Sequence, residues 1–207
     1  MIRRRLTILL TMLLMCAAAS AQNAVNGFVA TLGGKCASFK YNYSLSGQFP
    51  VSGSGEVNLQ GDSFTMKGDG LEVYCNGTDR WTVDTEAEEC YIESVDADAL
   101  DYEANPALLV GAVDKAFKFQ KAKSSTFNGK SVSEAVLAPA SKNGNIKEVS
   151  LFLTQANVPA GAIITTSDGT TITVTIKDWA LGAEKDCEAF CLNAKKLGKN
   201  YIITDLR

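Results

Sequence analysis

The chain of 207 residues contains no histidine. That absence excludes Ser-His-Asp and Cys-His catalysis, histidine metal sites and imidazole acid–base chemistry near neutral pH. No stretch beyond the N-terminus approaches the roughly 20 apolar residues of a membrane-spanning helix. No basic stretch follows Arg3-Arg4-Arg5, so the electrostatic footprint of a nucleic-acid binder is missing. Low-complexity tracts, internal repeats and linkers are also lacking.

What is present begins with an export signal. Arg3 to Arg5 form a basic head, Leu6 to Met15 a short apolar run, and Ala19-Ser20-Ala21 fits the small-x-small cleavage rule. The run is too short to span a bilayer and reads as a secretory signal peptide, residues 1–21, cut after Ala21. Met15 precedes Cys16 where a lipid-acceptor cysteine would follow a small residue, so anchoring at Cys16 is not expected. Residues 22–207 then make one domain of ordinary size, and loss of the three arginines moves the net charge from −3 to −6. Five cysteines remain: Cys36, Cys75, Cys90, Cys187 and Cys191. An odd count in an exported chain leaves at least one thiol free or bridged to another chain. Placed four residues apart on one strand, Cys187 and Cys191 would lie about 13 Å from each other and could not bridge. All five read first as small buried apolar side chains.

Hydrophobic periodicity supplies the architecture. Val25, Phe28, Val29 and Leu32 form a helical stripe ended by Gly33-Gly34. The period then changes to two: Phe39, Tyr41, Tyr43 and Leu45 alternate with polar residues. After the punctuation Ser52-Gly53-Ser54-Gly55 come Val57 and Leu59, then Phe64 and Met66, then Leu71, Val73 and Cys75. Asn76-Gly77 predicts a hairpin into Arg80–Asp84, and a solvated turn at Glu86-Ala87-Glu88 leads to Cys90–Glu93. Asn105-Pro106 reads as the cap and first residue of a helix to about Ala116, with Leu108, Leu109, Ala112 and Val113 on one side. Further strands are expected at Phe117–Lys123, Val132–Leu137, Ile146–Leu153, Ile163–Thr166 and Thr170–Asp178, the last two joined at Ser167-Asp168-Gly169. Ala189–Asn193 and Tyr201–Asp205 complete a set of about eleven strands with two or three helices. This is an α+β chain dominated by one antiparallel sheet.

The linear order carries a resemblance. Ala37-Ser38-Phe39, the hairpin Asn76-Gly77-Thr78-Asp79-Arg80-Trp81-Thr82-Val83-Asp84, Glu89-Cys90, Asn105-Pro106, Leu137-Ala138-Pro139, and Phe190 to Lys195 with Ile203-Thr204-Asp205-Leu206-Arg207 form a co-linear series. It resembles the LolA-like outer-membrane lipoprotein carriers over nearly the whole chain beyond residue 21. The resemblance implies a half-open β-barrel, one highly curved antiparallel sheet with helices over its concave face. It also implies a non-enzymatic, cofactor-free periplasmic chaperone that shelters the acyl chains of lipoproteins on their way to the outer membrane. Its partners would be acylated lipoproteins or lipid, an inner-membrane release complex and an outer-membrane acceptor, with the carrier itself a monomer. The alternative on the same scaffold is a binding module for another lipid or apolar small molecule. Two positions depart from the pattern: Asn76 replaces the usual hairpin aspartate, and the family arginine tied to cargo release is absent near Gly61-Asp62.

On this reading Phe39, Tyr41, Tyr43, Val57, Leu59, Phe64, Met66, Leu151 and Leu153 line the hydrophobic cavity, under a lid carrying Leu108, Leu109 and Val113. Other constellations are weaker. Asp96-Ala97-Asp98-Ala99-Leu100-Asp101 lacks the oxygen ligand and glycine of a calcium loop. Glu86, Glu88 and Glu89 suit a solvated turn better than paired catalytic carboxylates. Trp81 and Trp179 suit either core or a stacking platform. The sequons at Asn42 and Asn76 are accounted for by strand and turn. Cys187-x-x-x-Cys191 lacks zinc or redox-motif spacing.

Overall fold

Alternating apolar residues run from strand to strand in register, and that register builds the protein around one sheet. A computed structural model describes residues 24–47, 50–95, 106–141 and 144–207. The expected signal peptide, Cys16, Asn105 and the Asp96–Asp101 stretch lie outside the described residues. Helix α1 covers residues 24–32. Twelve strands follow: β1 Lys35–Ser46, β2 Val51–Gln60, β3 Ser63–Gly68, β4 Leu71–Asn76, β5 Asp79–Asp84, β6 Glu89–Ser94, β7 Phe117–Phe127, β8 Lys130–Pro139, β9 Ile146–Leu153, β10 Pro159–Thr166, β11 Thr171–Ala183 and β12 Ile202–Asp205. Their order across the sheet is β12-β6-β5-β4-β3-β2-β1-β11-β10-β9-β8-β7. Two antiparallel meanders are thus joined through β1 and β11, and the curved sheet stays open between β12 and β7. The expected curved half-barrel is the fold.

The inner face is one continuous apolar path. Phe39 faces Val57, Val57 faces Met66 and Leu59 faces Phe64. On the other side Val174 faces Ala162, Ala162 faces Leu151, and Leu151 faces Ala135. Directly opposed side chains are the unit of sheet stabilisation, and here they form the main core together with Val25 and Phe28 of α1. Trp179 extends it, its ring centroid 5.9 Å from Phe28 and 5.4 Å from Phe39. At β5 the pattern changes sides. Trp81, Val83, Cys90 and Ile92 form a second core on the outer face, covered by Leu192, Ala194, Leu197 and Tyr201 from the C-terminal segment. The inner face there carries an ion pair instead, Arg80 to Glu93 at 3.0 Å. A third cluster at the other end places Phe127 on Phe152, stacked at 4.3 Å between centroids.

Four expectations are corrected. Strand β2 runs through Ser52-Gly53-Ser54-Gly55 rather than stopping there, because Tyr43 and Tyr41 lie opposite Gly53 and Gly55 and supply the packing the glycines lack. The middle segment, Pro106–Ala112, is a 3₁₀ helix followed by turns rather than an α-helix. Gly111 and two β-branched valines weaken the α form. Ala189–Asn193 is no strand: Cys187–Phe190 and Ala194–Lys196 are short 3₁₀ turns that bring Phe190 into a fully buried position. Finally, β12 pairs with β6 in parallel, the exception to an otherwise antiparallel sheet. The Asn76-Gly77 turn is present, but Gly77 alone takes positive φ, at 88°. Asn76 contributes its side chain, whose Oδ1 accepts from the N–H groups of Thr78 and Asp79 at 2.9 and 2.8 Å. Tight two-residue turns with both residues at positive φ are instead Asp69-Gly70 between β3 and β4 and Asn128-Gly129 between β7 and β8.

Candidate hydrophobic site

A sheet this long exposes more apolar inner face than one nine-residue helix can cover. The 3₁₀ segment Pro106–Ala112 and its following turns cover much of the remainder. Leu109, Val110 and Val113 are buried in the main core, as are Ala107 and Leu108. The segment's backbone lies directly on β2: a Cβ added at Gly111 would stand 2.6 Å from Leu59 Cδ2. Its far end is fastened where the Ala140 N–H donates to the Ala116 carbonyl at 2.8 Å.

Between this segment and the ends of both meanders lies a cavity of about 420 Å³. Leu59 and Phe64 come from β2 and β3, Val95 follows β6, Leu108, Gly111 and Ala112 belong to the covering segment, and Phe117 and Ile146 begin β7 and β9. Gly61, Asp62, Gly77, Lys115, Ala116, Pro139, Ala140 and Ser141 complete the lining. The volume falls within the range of about 300–1,000 Å³ typical of small-ligand sites. Its surface is mostly apolar, and its charged pair sits in solvent: Lys115 Nζ donates to Asp62 at 2.5 Å, with both side chains more than half exposed. Among the described residues no buried side-chain nitrogen or oxygen is left without a partner, and no group of three or more His, Cys, Asp or Glu side chains is placed to hold a metal. The site offers hydrocarbon surface.

Of the residues singled out from the sequence, Leu59, Phe64 and Leu108 line the cavity. Phe39, Tyr41, Val57, Met66, Leu151 and Leu153 are buried in the adjoining core, and Tyr43 is half-buried at its edge. Burial, then the charge of Asp69, pushes the Tyr41 hydroxyl up to about 12. Leu109 and Val113 root the covering segment in the core. Residues the sequence reading passed over include Val95, Lys115, Phe117 and Ile146, which lie at strand ends or just outside them. Alternation marks which face a residue takes, not how near it stands to the end of the sheet. Gly111, in an otherwise apolar helical stripe, was the one local sign of close backbone approach.

Comparison with known proteins places the fold. No protein-family model matches the chain, and no curated protein does. Solved structures do. An uncharacterized conserved protein from Thermus thermophilus is 10% identical with a TM-score of 0.56, over 90% of this chain and 99% of that one. A LolA superfamily protein from Nitrosomonas europaea is 10% identical with a TM-score of 0.48, covering 84% and 98%. A putative outer membrane lipoprotein-sorting protein domain from Vibrio parahaemolyticus is 11% identical with a TM-score of 0.45, covering 84% and 95%. The class defined here is therefore a fold class, the open curved sheet with a partly covered inner face. Among the described residues no helix is long and apolar enough to cross a membrane.

Proposed function

We propose that this protein is a periplasmic carrier that receives acyl chains of lipoproteins in the cavity beneath the 3₁₀ segment and delivers them towards the outer membrane. The observation that carries the reading is the cavity itself: about 420 Å³ of largely apolar space between two halves of one sheet, closed by a short segment rather than by the sheet. The co-linear series of residues resembling the lipoprotein carriers supports the same reading, as does the N-terminal run Arg3 to Ala21, whose basic head, apolar stretch and small residues fit an export signal. The role is binding without catalysis or cofactor. Each methylene moved from water onto such a surface gains about 0.8 kcal/mol, against the cost of immobilising the chain and displacing the cover. A cover that must be displaced limits affinity, which suits a carrier that has to release.

Purification from the native envelope under mild conditions, followed by mass spectrometry of what co-elutes, tests the proposal. An acylated polypeptide supports it. A small free lipid transfers the reading to a lipid-binding module on the same scaffold. Recovery of neither, together with no uptake of a fluorescent fatty acid by the purified protein, refutes both.

A further inference from the structure

The C-terminal segment does something the alternation pattern did not foresee. Residues 187–197 cross the outer face of the sheet with two short 3₁₀ turns and no strand pairing of their own. The first turn packs on β3 and β4, and the residues after it cover the second core around Trp81 and Ile92. The backbone bonds within the segment are local: Ala189 N–H to Asp186 O at 2.9 Å, Cys191 N–H to Glu188 O at 3.2 Å, and Lys196 N–H to Asn193 O at 2.9 Å. An apolar face is thus capped by chain with little regular structure to hold it.

The same turn gathers two thiols. Cys191 Sγ lies 3.5 Å from the Cys187 carbonyl oxygen, and both sulfurs stand against one residue of β4. Asn76 Nδ2 donates to Cys191 Sγ at 3.4 Å, and Cys187 Sγ lies 4.0 Å from the Asn76 carbonyl oxygen. The other described cysteines are placed differently: Cys36, Cys75 and Cys90 are buried, Cys187 is exposed and Cys191 half-buried. Cys75 belongs to the inner core and Cys90 to the outer one. The separation expected for two cysteines on one strand does not arise, because the turn replaces the strand.

We propose that Cys187 and Cys191 are a disulfide-forming pair whose bridge staples shut the turn that seats the C-terminal segment on the outer apolar face of β4 to β6. The oxidant is a disulfide-bearing thiol compound or protein. The Cys187 thiolate attacks its S–S bond and forms a mixed disulfide, releasing the first thiolate. Cys191, after losing its proton, displaces the second. Two thiols are oxidised and one disulfide is reduced to two thiols. Partial desolvation and the neighbouring Cys191 and Glu188 hold the Cys187 thiol above its ordinary range. A thiol with raised pKa attacks slowly but also leaves slowly, so the bridge serves as a lasting cross-link and not as an exchange catalyst. Its closure removes conformations from the unfolded chain.

The test uses the mature chain equilibrated in oxidised glutathione and then denatured for thiol titration. The proposal requires the count to fall from five thiols to three. It also requires the tryptic peptide spanning Asp186 to Lys195, which holds both cysteines, to appear two hydrogens lighter without added glutathione. C187S must abolish that species. The oxidised protein should melt about 5 °C above the folded C187S/C191S double variant, and its digestion at Lys195 and Lys196 should be slower. Five remaining thiols, or a bridge from this peptide to Cys36, Cys75 or Cys90, overturns the pairing. Equal melting and equal digestion of the bridged chain and the double variant overturn the staple.

Discussion

Tyr41 lies directly across the sheet from Gly55, its hydroxyl 2.7 Å from where a Cβ on that glycine would stand. Tyr43 repeats the arrangement over Gly53, and the two rings stack with centroids 6.3 Å apart. Here β2 also approaches β3 closely: a Cβ at Gly55 would stand 2.5 Å from the Lys67 carbonyl oxygen. The tyrosines therefore cover a glycine patch in the sheet. Gly55→Ala must displace backbone as well as a ring, and we expect a loss of about 3 kcal/mol. Urea denaturation measures it; an unchanged midpoint with an unchanged slope contradicts the assignment.

The covering segment divides its leucines between two tasks. Leu109 is fully buried in the core, whereas Leu108 also lines the cavity. Leu109→Ala is expected to cost about 3 kcal/mol, in the usual range for a buried leucine. Leu108→Ala should cost at least about 1 kcal/mol less, because its truncation enlarges an existing space. Equal losses would mean that Leu108 is ordinary core.

Lys115 and Asp62 tie the end of that segment to the β2–β3 turn across the cavity mouth. The pair is exposed, so Lys115→Ala should change folding stability by less than about 0.5 kcal/mol. Its effect belongs to opening. A bound fluorescent fatty acid should leave the variant several-fold faster in stopped-flow, and should leave the parent faster at high salt. A release rate unchanged by both would remove the pair from any gating role.

Arg207 holds the last strand in place, pairing Asp205 of β12 and Asp79 of β5, each at 2.7 Å. The hydrogen bonds from Arg207 hold the Asp205 carboxyl down to about 2, against an ordinary 3.8. A depressed carboxyl stabilises the fold above its ordinary pKa, and that contribution is lost as pH falls from about 4 to about 2. Pepsin digestion should therefore release residues 202–207 progressively over this range, and D205N should release them already at pH 4. Equal protection at both pH values contradicts the pairing.

Much of this architecture was legible in the sequence because a half-buried sheet writes its period directly. Ile146–Leu153 was read to the residue, and Phe39, Val57, Phe64 and Val73 all fall on the inner face as their alternation required. Departures came where long-range contact overrode local preference. Gly53 and Gly55 signal a break unless the facing tyrosines are known. A strand is expected over Ala189–Asn193, yet the edge beside β6 is taken by β12. The change of apolar side at β5 left the burial pattern of Trp81 and Val83 readable but not the face they occupy. The cavity was legible in kind more than in place: register identified the apolar face, while the positions of the strand ends decided which residues enclose space.

The central claim is that the space beneath the 3₁₀ segment accepts hydrocarbon. Its most direct test is titration of the purified protein with straight-chain fatty acids of increasing length, in parallel with Ala112→Trp, which fills the cavity. Affinity should rise about fourfold per added methylene until a cavity of about 420 Å³ is full, then level off, and the tryptophan variant should lose the rise while keeping its melting temperature. Affinity independent of chain length, or unaffected in a folded Ala112→Trp protein, would contradict the account.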